Sequence, residues 1–311
     1  MEKLFHGVNR FEYKDGYNIP LRFTKFYEEY LSWNERLIEY VRSAASVTIE
    51  IETNATNVSF DYKLYPSTAT AANFTAIVNG VLVKSIEVNG LSEGKIEFDF
   101  TAENKIIEIY FPFNTEVGIK NFTVSGDYKT VNTPKQKVLF FGDSITQGAR
   151  ANLSSQSYVN VVKRNLNYEI LNFGINGYVF DKSLVTKTNF SPDKIIVSLG
   201  TNNSHASKES NEKTIKDFFE ALDLVYKNVP VLCIIPIWCG NTKPTQLEEY
   251  KHINKLINKF SREYANIKVV SGYDLIPHEP KYFGDDLIHP NQLGMETYGN
   301  NLTKAIKEIG F

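Results

Sequence analysis

The strongest constraint on this chain is a change of hydrophobic period near residue 130. Before it, apolar and polar residues alternate. Val47-Thr-Ile-Glu-Ile-Glu-Thr53, Val58-Ser-Phe-Asp-Tyr-Lys-Leu64 and Ile96-Glu-Phe-Asp-Phe100 each put every second side chain on one face, as a half-buried strand does. Asn79-Gly80 between Phe74–Val78 and Val81–Ile86 is a two-residue hairpin signal, and Asn89-Gly90 marks a second turn. Residues 106–111 and 117–124 supply two more strands. Short strands at about 8- to 12-residue spacing, with no helical segment between them, predict an all-β, jelly-roll-like sandwich. The first 46 residues are less regular and are read as a short helix within Thr24–Tyr40 plus an edge strand over Arg36–Ala45.

After residue 130 the pattern is different. Short apolar runs at 138–141, 168–173, 194–199, 229–237 and 267–271 alternate with amphipathic segments at 155–166, 209–227, 245–263 and 291–308. Strands that read as continuous apolar runs are covered on both faces, so a parallel sheet between two helical layers is expected. The expected fold class is therefore α/β, a flavodoxin-like three-layer α/β/α domain preceded by the sandwich. The expected domains are 1–130 and 131–311, joined by the polar stretch Tyr128–Gln136, which contains Pro134. A linker so short keeps the two domains together and predicts a packed, structural role for the sandwich.

Chemistry concentrates where the second pattern begins. Lys137-Val-Leu-Phe-Phe-Gly-Asp-Ser-Ile-Thr-Gln-Gly148 runs from an apolar strand into a small polar turn. Ser144 stands at the carboxyl end of that strand, where open α/β sheets place their ligands, and a helix starting there aims backbone N–H groups at the same point. By itself the tripeptide also reads as a turn with Ser144 as a cap. A serine hydroxyl needs a base to take its proton. Of the five histidines, His289 alone has a carboxylate three residues earlier, Asp286, and a proline directly after it. Asp285 is the rival carboxylate at i−4.

Four blocks in this order, carrying Ser144, Asn172-Phe-Gly-Ile-Asn-Gly177, Leu199-Gly-Thr-Asn202 and Asp286-Leu-Ile-His-Pro290, resemble those of the SGNH, or GDSL, hydrolase superfamily. The resemblance covers roughly 137 to 311. It implies Ser144 as nucleophile, His289 as base and Asp286 as the carboxylate that orients it. It also implies an oxyanion hole from the Ser144 N–H, Gly174 and Asn202. Gly177 and Asn203 are near-neighbours of similar chemistry, and many members carry Asp where this chain has Asn203. A sandwich ahead of such a domain is similar to carbohydrate esterase family 2, which implies acetyl esters of oligosaccharides as substrates. Trp238, at the end of the run 229–237, is either a sugar platform at the site rim or a packing residue.

Composition narrows the alternatives. A formal charge of −2 gives no field for nucleic acid, and no apolar run reaches the length of a membrane helix. The spacing of phosphate-binding loops, of the Gly-x-Ser-x-Gly elbow and of metal ligands is not found, so neither a cofactor nor a metal is expected. The first ten residues lack the apolar core of a signal peptide and the two cysteines, Cys233 and Cys239, are read as unpaired, so a cytoplasmic location is expected. Homo-oligomerisation is left open. The expected partner is a small-molecule or oligosaccharide ester. The competing readings are a thioesterase or other short-chain acyl hydrolase, and a carbohydrate-binding protein with an inert hydrolase-like domain.

Overall fold

The computed structural model describes residues 1–65, 72–88, 90–131 and 135–311, with the backbone alone for 244 and 245. Asn89 of the second expected turn, and residues 132–134 of the expected linker, lie outside the described residues. By its internal contacts the chain divides into two compact units. One comprises Met1–Lys135, Asn152–Ser155 and Glu169–Leu171; the other comprises Gln136–Ala151, Gln156–Tyr168 and Asn172–Phe311.

Among the described residues eleven strands precede residue 131: β1 (Phe5–His6), β2 (Arg10–Lys14), β3 (Tyr17–Leu21), β4 (Thr48–Thr53), β5 (Asn57–Leu64), β6 (Asn73–Val78), β7 (Val81–Glu87), β8 (Glu93–Asp99), β9 (Lys105–Tyr110), β10 (Val117–Val124) and β11 (Tyr128–Thr130). They form two sheets, ordered β1-β4-β9-β6-β7 with β11 beside β4, and β2-β3-β10-β5-β8. Neighbouring strands in both pair antiparallel. Period-two alternation accounts for the core between them: Ile49 and Ile51 of one sheet pack with Val58, Phe60, Ile96 and Phe98 of the other. The sandwich is as expected from the alternation. Asn79 and Gly80 both take positive φ, 49° and 82°, in a two-residue hairpin with Val78 opposite Val81.

Three features differ from the sequence reading. Asp15 and Gly16, with φ of 54° and 82°, close a second hairpin of the same kind between β2 and β3. Residues 24–45 form two helices, α1 (Lys25–Tyr30) and α2 (Glu35–Arg42), in place of a helix and an edge strand. Leu37 and Val41, four apart, are the buried face of α2, and the Asn34 side chain caps it by accepting from Arg36 N–H. The buried Arg22 guanidinium donates to Tyr40 O and Ser43 O at its end. Lastly, Tyr128–Thr130, expected in the linker, pairs with β4.

The second region holds β12 (Gln136–Gly142), β13 (Tyr168–Gly174), β14 (Lys194–Ser198), β15 (Val231–Ile234) and β16 (Ile267–Val270). Between and after them run α3 (Ser144–Gln147), α4 (Tyr158–Leu166), α5 (Lys208–Val225), α6 (Pro244–Ser261) and α7 (Gln292–Glu308). The sheet order β13-β12-β14-β15-β16 is the doubly wound 2-1-3-4-5 arrangement. β12, β14, β15 and β16 pair in parallel. Val138, Leu139, Phe140 and Phe141 are fully buried, which is why the strand reads as an unbroken apolar run. The strand order reverses beside β12, so the crevice at its carboxyl end is where such a sheet binds ligands. β15 is shorter than expected because Pro236 has no N–H to continue the ladder; the chain leaves the sheet after Ile235, whose N–H still reaches Val270 O.

Candidate active site

Ser144 begins α3 immediately after β12. The turn is tight enough that a Cβ on Gly142 would lie 2.0 Å from Thr146 Oγ1, so glycine is needed there. Asp143 caps the helix, its carboxylate accepting from Ile145 N–H at 3.0 Å, and its side chain also bonds to Thr201. Burial pushes the Asp143 carboxyl up to about 6, against the pull of the Ile145 N–H and the charge of His289. Asn172 ties the end of β13 to this helix: its Nδ2 donates to Thr146 O at 2.8 Å and its Oδ1 accepts from Gly174 N–H at 2.8 Å. Ser144 is itself buried, with its Oγ 2.8 Å from His289 Nε2.

His289 sits on a turn that fixes its partner. Asp286 Oδ2 lies 3.0 Å from His289 Nδ1, while Oδ1 accepts from the backbone N–H groups of Ile288 and His289 at 2.9 and 3.0 Å. Burial works to raise the Asp286 carboxyl. The two backbone donors and the imidazole outweigh it and hold the group at about 2. Leu287 adopts a left-handed φ of 54°, and its carbonyl accepts from Gly240 N–H at 2.8 Å. A Phe283–Pro290 bridge brackets the turn, and Asn291 caps α7 directly behind it. Asp285 is exposed. Ser144, His289 and Asp286 are therefore brought into one hydrogen-bonded line, and Asp285 is outside it.

The expected oxyanion donors fare differently. Gly174 N–H is already donated to Asn172, and a Cβ there would lie 2.3 Å from Gln147 N. Close packing of β13 against the α3 backbone is a physical reason for this glycine. Gly177, three residues on, has φ of 77°, open space around its Cα and, among the described residues, no acceptor for its N–H. It lies in the turn closed by Tyr178 N–H to Ile175 O. Asn202 reaches the same turn, with Nδ2 donating to Tyr178 O at 2.9 Å, which leaves its second N–H available.

The profile of the GDSL-like lipase/acylhydrolase family matches residues 140–297. The chain belongs to that family. It is an ester hydrolase by that membership. A search of curated proteins gave no match. Among solved structures the fold is similar to SsfX3, a salicylyl-acyltransferase from a tetracycline biosynthetic pathway, at 15% identity and a TM-score of 0.82 over 98% of this chain and 95% of that one. It is also similar to a family two carbohydrate esterase from Clostridium thermocellum in complex with cellohexaose, at 20% identity, TM-score 0.65, 86% and 93% coverage. An acetyl xylan esterase from Butyrivibrio proteoclasticus gives 14% identity, TM-score 0.64, 89% and 93% coverage. These likenesses span both regions, so the order of sandwich and parallel sheet is one that solved structures share.

Within the GDSL-like domain the remaining candidates have local explanations. Asn203, where many members carry Asp, is buried; its Oδ1 accepts from Phe180 N–H and its Nδ2 donates to Asn211 Oδ1. Its work is to shape the loop that carries Asn202. Trp238 is half-buried, stacked on His278 with ring centroids 5.4 Å apart and edge-on to Phe283 at 5.1 Å. It also borders a cavity of about 480 Å³. His6 bonds to Glu169, and His252 lies within α6. Cys233 and Cys239 are free, buried thiols, each pushed up to about 12 by burial. Among the described residues no group of three or more His, Cys, Asp or Glu is placed to hold a metal ion, and no helix is long and apolar enough to cross a membrane.

Proposed function

We propose that the protein is a serine esterase that cleaves short acyl esters, acetyl esters of oligosaccharides above all, through an acyl-enzyme. The observation that carries the reading is the line Ser144 Oγ, His289 Nε2, His289 Nδ1, Asp286 Oδ2, with contacts of 2.8 and 3.0 Å. His289 takes the Ser144 proton as Oγ attacks the ester carbonyl, then returns it to the leaving alcohol. Asp286, held ionised, fixes the tautomer that leaves Nε2 free to accept. The developing oxyanion takes hydrogen bonds from the Ser144 N–H at the helix start, from the Asn202 side chain and from the Gly177 N–H. Water then repeats the sequence on the acyl-enzyme.

Preference for acetyl and for a sugar alcohol is supported by the two-part likeness to carbohydrate esterases and by the aromatic group around Trp238. A panel of p-nitrophenyl acetate, acetylated xylo- and cello-oligosaccharides and acetyl-CoA tests it. The expected result is turnover of the first two classes and little of the thioester. Turnover of acetyl-CoA alone would replace this reading with the thioesterase one, and no turnover of any member would replace it with an inert binding protein.

A further inference from the structure

The turn after β13 leaves one backbone amide over. Across residues 175–178, Ile175 N–H donates to Gly142 O at 3.1 Å and Tyr178 N–H to Ile175 O at 3.1 Å. Asn176 N–H donates to the Gln147 side-chain oxygen at 2.8 Å. Of the four, Gly177 N–H alone has no acceptor among the described residues. Two of the three bonds end on backbone carbonyls. The third ends on a side chain of α3, the helix that Ser144 begins.

Gln147 is the last residue of that one-turn helix and is itself buried. An N–H needs an acceptor, so the carboxamide must turn its oxygen toward Asn176. From the other side, Asn202 Nδ2 donates to Tyr178 O at 2.9 Å. The turn is thus tied at residue 176 to α3 and at residue 178 to the loop that carries Asn202. Gly177 lies between the two ties. Without the Gln147 oxygen, Asn176 N–H is a half-buried donor with no partner, and the peptide that bears it is free to turn toward one. The glycine that follows, at φ 77°, offers little steric resistance to that rotation.

Resting on the reading of Gly177 N–H as an oxyanion donor, we infer that Gln147 is a positioning residue for that donor. Its side-chain oxygen fixes the Ile175–Asn176 peptide, and through it the direction of the Gly177 N–H. One short helix then carries both the nucleophile and the strut that aims the donor. Gln147 touches no reacting atom. A donor aimed at the oxyanion acts on the transition state more than on the bound ester, so its misalignment shows in kcat and not in KM.

The test uses the full chain and two variants that lose the acceptor in different ways, Gln147→Met and Gln147→Asn, with thermal melts beside the kinetics. The substrate is p-nitrophenyl acetate. The probe of the oxyanion is trifluoroacetone, whose hemiketal on Ser144 carries the negative oxygen. The expected result is a fall of about 10- to 100-fold in kcat with KM within about twofold, and a rise of similar size in Ki for the ketone. A packing role alone lowers the melting temperature and leaves the ratio of ketone Ki to substrate KM unmoved. An unchanged kcat in a folded variant overturns the inference. So does a loss carried by KM, or a fall in kcat with the ketone Ki unchanged. If neither variant folds, Gln147 belongs to the core and the inference is overturned as well. A wild type inert on the ester is a separate result, seen before any variant is compared, and it removes the esterase reading and this inference with it.

Discussion

Asp286 holds His289 twice, accepting its backbone N–H at 3.0 Å with Oδ1 and facing its Nδ1 at 3.0 Å with Oδ2. One carboxylate thus sets both the turn and the ring that the turn carries. Asp286→Asn keeps the shape but offers an amide where an acceptor is needed. A loss of about 10²- to 10⁴-fold in kcat is expected. Asp285→Asn should stay within about twofold, because Asp285 is exposed. Steady-state kinetics on p-nitrophenyl acetate check both, and a reversed pair of effects would contradict the register proposed.

The two carboxylates near Ser144 predict opposite pH behaviour. Asp286, lowered to about 2, gives stability that is present above its ordinary value and lost as pH falls through 2. Asp143 is raised to about 6, so between pH 4 and 6 the unfolded chain has lost a proton that the folded chain keeps. Stability linked to Asp143 therefore falls as pH rises through that window, by up to about 3 kcal/mol. Asp143→Asn does not titrate. Urea denaturation should show the variant gaining on wild type between pH 4 and pH 7, and a difference constant with pH would contradict the buried-acid assignment.

Gly174 and Asn202 should fail in different ways when replaced. Gly174→Ala drives a methyl into the Gln147 backbone, so a loss of stability of about 1–3 kcal/mol is expected with activity falling in consequence. Asn202→Ala should leave the melting temperature within a few degrees and cost about 10²- to 10³-fold in kcat, with KM little altered. Thermal melts alongside kinetics separate the two.

Much of this was legible because the signals are local. The strand, glycine, aspartate and serine of 138–144 lie within one strand–helix turn, and Asp286 and His289 share a single tight turn. Spacing picked out Ser144 and His289 as candidates, while the choice of Asp286 over Asp285 came from the family resemblance. The Asp15-Gly16 hairpin was equally visible as a dipeptide, though it sits in a stretch whose periodicity is weak. Spacing does not separate Gly174 from Gly177, because which amide the Asn172 side chain occupies is set by three-dimensional packing. The α2 segment has too few residues to show its period clearly, and its cap at Asn34 is the better signal. Of the cavity beside α6 only Trp238 was singled out in the sequence, because which face of α6 meets the loop after β15 is decided by packing.

Acyl length offers a further check. If the site takes acetyl esters, each added methylene should cost about 1 kcal/mol, or about fivefold in kcat/KM. Rates on p-nitrophenyl esters should fall from acetyl to butyryl and be small for octanoyl. A flat profile would favour a lipid or thioester substrate.

The central claim is that Ser144 is the nucleophile, and one substitution tests it. Ser144→Ala removes the attacking oxygen and little else, so the variant should melt like wild type. Its kcat on p-nitrophenyl acetate should fall by several orders of magnitude, since triad members act as a unit. A folded Ser144→Ala protein that hydrolysed the ester at the wild-type rate would contradict the account.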